Sequence, residues 1–415
     1  MTAQTKSLGT LALLALGVNG IVGVGIFFAP ADIAQLAPGG ASVTVVAATG
    51  IALVPVAVAV ATLGSRFEAD GGPVLYARHA FGDSAGFVVG WLAYVSSLFS
   101  TAAIVAGLTR ALMPAVYTNP LGVRGAALFV LSAVTLACIA GLRFSARAWT
   151  TLTLLKLLPL VGLIAAAAIV RASPVGATLP VAGDVSWLRA ALLTTFVYQG
   201  FEVVPVIAGH AKTPARTIPI AVLGSLALAT LLYIAVQRAA VVAVPELATS
   251  TAPLVDAAFV YGGHRFAEVL RVGASVSALG IALGMMVTTP RYLAALARGT
   301  RFSGMSEAGV PRTALLVTFL LVGAIVSLGD LAELFVLSSL AVVTQYLLVA
   351  LALARIGWRR ELGLSPARAW SAAPTIVVSV ALLTAARGRE WIVAAGFLAV
   401  GLIVKRMMPL EKKEI

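Results

Sequence analysis

Asn19-Gly20-Ile21-Val22-Gly23-Val24-Gly25-Ile26-Phe27-Phe28-Ala29-Pro30 lies in the middle of the first long apolar run of the chain. A membrane helix should be most regular there, yet Gly20, Gly23 and Gly25 crowd together and Pro30 follows. Each glycine inside a helix costs roughly 1 kcal/mol relative to alanine, through backbone entropy. In lipid a loosened backbone is worse, because freed N–H and C=O groups find no water to bond. Broken backbone at that depth persists only where protein or a solute satisfies it. The stretch is therefore the first candidate for a binding site.

The rest of the chain supplies the membrane setting. It has 415 residues, 60% hydrophobic and only 11% charged, against about 25% charged in a soluble domain. Apolar runs near the length that crosses a hydrocarbon core of about 30 Å recur from end to end. They predict an all-α membrane protein of about twelve spans, at about 10–36, 42–63, 85–113, 124–141, 149–170, 188–210, 219–242, 265–298, 313–328, 331–356, 371–385 and 391–406. Residues 1–415 read as a single transmembrane domain. The alternating ten-residue segments of a β-barrel are absent. The first run is too long and too glycine-broken for a cleaved signal peptide.

The net charge of +13 reads as topology rather than as a nucleic-acid surface. With the N-terminus in the cytoplasm, nineteen basic residues fall inside, from Lys6 to Lys413, and nine fall outside, from Arg110 to Arg389. The positive-inside rule favours this orientation, with both termini cytoplasmic and the protein multi-pass in a plasma membrane, the inner one if bacterial. Cys138 is the sole cysteine, inside an apolar run, and His79, His210 and His264 are scattered singly. No metal site, cofactor or disulfide-linked partner is expected. Oligomeric state has no sequence signal. The outside connection 243–264 carries the amphipathic stretch Leu254 to Val260, either a short lid or an ordinary surface loop.

A second break appears five spans after the first, in Thr194-Thr195-Phe196-Val197-Tyr198-Gln199-Gly200-Phe201-Glu202-Val203-Val204-Pro205. With five spans per unit the second unit enters the membrane inverted. Paired interruptions at corresponding positions are the sequence pointer to an inverted-repeat transporter with its site at the midplane. The halves are about 10–170 and 188–356, with helices eleven and twelve at about 371–406.

Broken helices offer charge without charged side chains. The N–H groups around Gly23, Val24 and Gly25, with a helix dipole behind them, form an anion site. The carbonyls that end the half-helices near Ile21, Phe196 and Gln199 suit an ammonium. Side by side, the two fit an α-amino acid. The competing reading is a glycine-rich packing seam, which Gly64 and Gly401 also suit. Lys156 is the one basic residue without a place at a membrane surface. It either snorkels to the cytoplasm or is held against helices 1 and 8, where a sodium-driven relative would bind its ion. Glu202, deep in its span, braces the helix 6 break or serves only as an acceptor for loosened N–H groups.

In order and spacing these motifs resemble the amino acid–polyamine–organocation (APC) superfamily of permeases, with the leucine-transporter fold. Gly23-Val24-Gly25-Ile26-Phe27 resembles its helix 1 signature, and Gly71-Gly72-Pro73-Val74-Leu75-Tyr76 with Phe81-Gly82 and Gly90-Trp91 its first cytoplasmic loop. Gly141-Leu142-Arg143 with Ser145, then Lys156 and Pro159, is similar to the helix 4–5 region. Phe196 to Glu202 followed by Lys212-Thr213-Pro214, then Arg291-Tyr292, Ala297-Arg298 and Val310-Pro311, extend the match over nearly the whole chain. The resemblance implies a 5+5 inverted repeat with broken helices 1 and 6, and secondary transport of amino acids or related amines by alternating access. It also implies that Ile21 and Gly23–Gly25 contact the substrate's charged ends, that Phe196 is an aromatic gate, and that Gln199 and Gly200 line the helix 6 side. Lys156 matches the lysine of sodium-independent members, close to a helix 8 hydroxyl, here Ser275 or Ser277. Val24 departs from the family's serine or alanine. His210 departs from its usual glutamate, which puts the inner-gate salt bridge in question.

The sequence thus points to a sodium-independent carrier, proton-coupled or an exchanger. The alternative is a facilitative amine or polyamine carrier, or a channel-like protein of the same fold. The motifs of an intramembrane enzyme, HExxH, GxSxG or paired aspartates, do not occur. The site lacks an acidic side chain for a cationic substrate and a spare arginine for an acidic one, so small neutral or aromatic substrates are preferred.

Overall fold

The computed structural model describes residues 8–67, 69–113, 120–140, 146–170, 184–297 and 311–407. Gly141-Leu142-Arg143, Ser145, Arg298, Val310, Lys6 and Lys413 fall outside them. The described chain is helical: α1 Thr10–Ile21, α2 Gly25–Leu36, α3 Gly40–Ala52, α4 Val54–Gly64, α5 Pro73–Phe81, α6 Asp83–Leu112, α7 Pro120–Ile139 and α8 Ala146–Val170. The rest comprises α9 Trp187–Tyr198, a 3-10 segment Phe201–His210, α10 Pro214–Ala243, α11 Pro253–Leu296, α12 Arg312–Leu328, α13 Leu331–Trp358, α14 Pro366–Trp370, α15 Ala372–Thr384 and α16 Gly388–Met407.

Local sequence accounts for many boundaries. Proline opens α5, α10, α11 and α14, where its missing N–H costs nothing. Asp330 caps α13 by accepting from the Glu333 N–H at 2.7 Å, one half of a capping box. Between α3 and α4 the chain bends around Leu53 and Pro55 without leaving its 25-residue apolar span. The first interruption is sharper: α1 and α2 meet at 48°.

Eight helices among the described residues are long and apolar enough to cross a membrane, and the bent α1–α2 pair makes a ninth. Residues 156–170 and α12 are shorter apolar helices. Each stretch expected to span the bilayer holds a helix or an interrupted helix. Helices α6 and α13 are the most enclosed of the long ones. The outward faces carry large exposed side chains such as Leu11, Ile169, Leu231 and Leu328, an apolar girdle that suits a hydrocarbon environment. The connection 243–264 is not a bare surface loop. Its helical part begins α11, with Leu254, Ala257 and Ala258 buried, and turns at Gly263, which adopts φ 69°.

Both rims are tied. At one, Leu8 forms a parallel bridge with Ala211 and its N–H donates to His210 O at 2.9 Å. There the Gly71 N–H donates to Val206 O at 2.9 Å and the Gly209 N–H to Asp70 Oδ1 at 3.0 Å. His210 Nδ1 stands 3.4 Å from Asp70 Oδ2, so the histidine in question does face an acid. At the other rim, Gln35 Nε2 donates to Ala248 O at 2.8 Å. Arg189, opening α9, grips Glu390, opening α16, through two bonds of 2.6 and 2.5 Å, and Glu390 keeps only 5% of its side chain exposed. Removing one partner of such an enclosed pair strands the other charge. Glu390→Gln is expected to lower stability by about 3 kcal/mol, read as a lower denaturation midpoint of the purified protein. Replacing both by Arg189→Met and Glu390→Leu should recover most of that loss.

Candidate functional site

The two interruptions touch. Gly200 adopts φ 131°, a region open to glycine, and a methyl added there would lie 2.3 Å from Gly20 C and 2.5 Å from Ile21 N. From the other side, a methyl on Gly20 would sit 3.1 Å from Gly200 O. The expectation placed Gly200 among the residues lining the substrate; its observed neighbour is the backbone of the first break. Gly64 and Gly401 are also contact glycines, against Pro205 and Trp91.

Most orphan groups at the half-helix ends have partners. The last carbonyls of a helix lack intrahelical donors. In α1, Val18 O accepts from the Val22 N–H at 2.8 Å, and Asn19 O accepts from Lys156 Nζ at 3.0 Å. Ile21 O accepts from the Tyr233 hydroxyl at 2.8 Å, and the same oxygen lies 3.1 Å from Val197 O at the end of α9. Tyr233 of α10 thus joins the ends of both broken helices. Sequence reasoning missed it, since a tyrosine in an apolar span carries no signal of its own. Beyond the second break, Glu202 Oε2 accepts from the Gly200 N–H at 2.8 Å and from the Tyr346 hydroxyl at 3.3 Å.

The N–H groups of Gly23, Val24 and Gly25 differ, having no acceptor among the described residues. They precede α2, whose dipole places positive potential there. Phe196 lies over them: its ring would stand 3.2 Å from a methyl on Gly25, and it stacks on Phe335 of α13 at 4.3 Å between centroids. Val24 is buried, with its side chain against Gly107 of α6. An aromatic pair therefore covers an electropositive backbone cradle.

Lys156 is buried at 3% exposure, which sets it apart from a side chain that snorkels to a surface. Gly162 of α8 meets Phe266 of α11, and Pro159 meets Gly273. The two helices therefore run antiparallel, and one further turn brings Lys156 level with Ser277. Ser277 is buried, and its Oγ has no protein partner. Ser275 instead donates to Arg271 O within its own helix at 2.9 Å. Of the two hydroxyls, Ser277 has the one still unspent.

A polar cluster missed in the sequence adjoins Gln199. Ser338 Oγ of α13 lies 3.1 Å from Gln199 Oε1, 2.8 Å from Ser100 Oγ and 3.2 Å from Ser96 Oγ. Serines in apolar spans usually bond back to their own helix, so single sequence positions gave no warning that these three converge.

A helical membrane body with two abutting breaks, an electropositive cradle and an aromatic cover defines a solute permease. The chain belongs to the amino acid permease family of the APC superfamily, whose model matches residues 8–409. It is similar to an uncharacterized transporter of Mycobacterium tuberculosis, 30% identical over 82% of this chain and 78% of that one. It is also similar to a branched-chain amino acid permease of Bacillus subtilis, 25% identical over 81% of this chain and 80% of the relative. A glutamate/serine transporter of the same organism is 26% identical over 82% and 70%. These relatives are permeases and transporters, not enzymes.

Tyr233→Phe removes the donor shared by Ile21 O and Val197 O. It should destabilise the protein by about 1–3 kcal/mol, the cost of a buried unsatisfied acceptor, measured as a drop in melting temperature. Gly200→Ala combines a positive φ with a backbone clash and should abolish folding, seen as aggregation on size-exclusion chromatography.

Proposed function

We propose that this protein is a secondary active transporter of amino acids or related amines, working by alternating access without sodium. The family supports the amino acid substrate class. The single observation that carries the sodium-independent reading is the hydrogen bond from Lys156 Nζ to Asn19 O. The buried amine brings a donor, and when protonated a positive charge, to the C-terminal end of α1, where the helix dipole is negative. That is the service a bound cation would perform between α1 and α11, with Ser277 as the neighbouring hydroxyl.

In this reading the substrate carboxylate bonds the N–H groups of Gly23, Val24 and Gly25. Its ammonium faces the carbonyl ends of α1 and α9, with Ile21 O and Val197 O shared with Tyr233. Phe196 moves with the occupied site as its cover, and Glu202 holds the helix 6 break open. The twelve helical stretches are read as a leucine-transporter-type 5+5 inverted repeat plus two terminal helices, with both termini cytoplasmic. In this reading transport is coupled to a proton or runs as an exchange with a counter-substrate.

Uptake of labelled amino acids into proteoliposomes should proceed equally with sodium or with choline as the external cation. A strict sodium requirement would overturn the role given to Lys156. Lys156→Ala loses a charge-assisted hydrogen bond worth about 1.5–3 kcal/mol, so uptake should fall roughly 10- to 100-fold. Near-normal uptake by that variant would have the same overturning force.

A further inference from the structure

We infer that the substrate side chain is read by Gln199 together with Ser100 and Ser338, and that the carrier selects amino acids bearing a small side-chain hydroxyl. This rests on the amino acid transport reading above and deepens it. Gln199 is the residue at the helix 6 break itself, between the Phe196 cover and the Gly20–Gly200 contact. Its Oε1 accepts from Ser338 Oγ at 3.1 Å, while its Nε2 is buried and has no partner. Ser338 is fully buried and Ser96 nearly so, and Ser100 Oγ lies 2.8 Å from Ser338 Oγ. The next residue on α13, Ser339, is fully buried with its hydroxyl unpaired.

Polar groups placed this deep cost free energy unless hydrogen-bonded, and lipid provides no partner. Here one amide end is left over in a cluster that packing alone would fill better with leucine or alanine. Neither charged substrate class suits it, because its members are neutral amide and hydroxyl groups. A hydroxyl on the substrate suits it well. It accepts from Gln199 Nε2 and returns its own proton to a serine oxygen, matching donor to acceptor at both ends. Phe335 lies one turn from Ser338 and Ser339 on α13 and stacks on Phe196. Aromatic surface on one side and hydroxyls on the other match a short side chain with one polar end. Sites built to bond a substrate hydroxyl discriminate strongly against analogues lacking it, since their own buried groups then stay unpaired.

Threonine and valine have the same shape and differ in this one group, so they make the test. In proteoliposomes holding the purified full-length protein, unlabelled threonine should inhibit uptake of labelled serine at concentrations at least 10-fold lower than valine. Gln199→Leu and Ser338→Ala, each verified as folded by a monodisperse elution profile and an unchanged melting temperature, should each shrink that ratio at least 5-fold. If either fails the folding check, Ser100→Ala takes its place with the same expected direction. Equal inhibition by threonine and valine, or a ratio unmoved in the folded variants, would overturn this assignment and leave the transporter reading intact. Failure of every amino acid to be taken up or to compete would instead overturn the transporter reading, and this assignment with it.

Discussion

The close contact between Gly20 and Gly200 is the constraint on which the centre of this molecule depends. Two helices that stop in the middle of a membrane leave polar backbone with nowhere to go. Setting the stops against each other lets one side chain serve both, with others close by for what remains. Tyr233 serves two carbonyl ends with one hydroxyl, Lys156 serves Asn19 O, and Glu202 takes the Gly200 N–H. Tyr233 could not reach both breaks if a methyl group forced the backbones apart.

The accounting is deliberately incomplete on one side. Carbonyls at the break have donors, whereas the N–H groups of Gly23, Val24 and Gly25 have no acceptor among the described residues. A helix N-terminus left unpaired is a ready anion site. Around it the protein places aromatic surface from Phe196 and Phe335, and next to that a cluster of serines and one glutamine. In the proposed reading the charged ends of a solute meet backbone, and its distinguishing group meets side chains.

Much of this was legible in the sequence because membrane physics writes in large letters. Runs of about twenty apolar residues announce helices, and glycine, proline and isolated polar residues inside such runs announce interruptions. Lys156 stood out by the same logic, since an ammonium in an apolar run must be explained. The choice between Ser275 and Ser277 was not legible. Both lie in one turn of one helix, and only the fold shows that Ser277 is buried with its hydroxyl unspent while Ser275 bonds back to Arg271 O. That Gly200 abuts the Gly20 backbone was not legible either, because glycine gives no hint of what approaches it.

The sequence by itself determined the membrane setting, the helical class, the positions of both breaks and the placing of Lys156 within an apolar run. Those properties follow from local hydropathy and backbone propensity, which act along the chain. Only the tertiary structure decided what the breaks meet. The Tyr233 bridge, the serines converging on Gln199, the Phe196–Phe335 stack and the clasp of Arg189 on Glu390 join residues between 36 and 242 positions apart. Such pairings depend on which helix faces which, and burial of each orphan polar group selects the face.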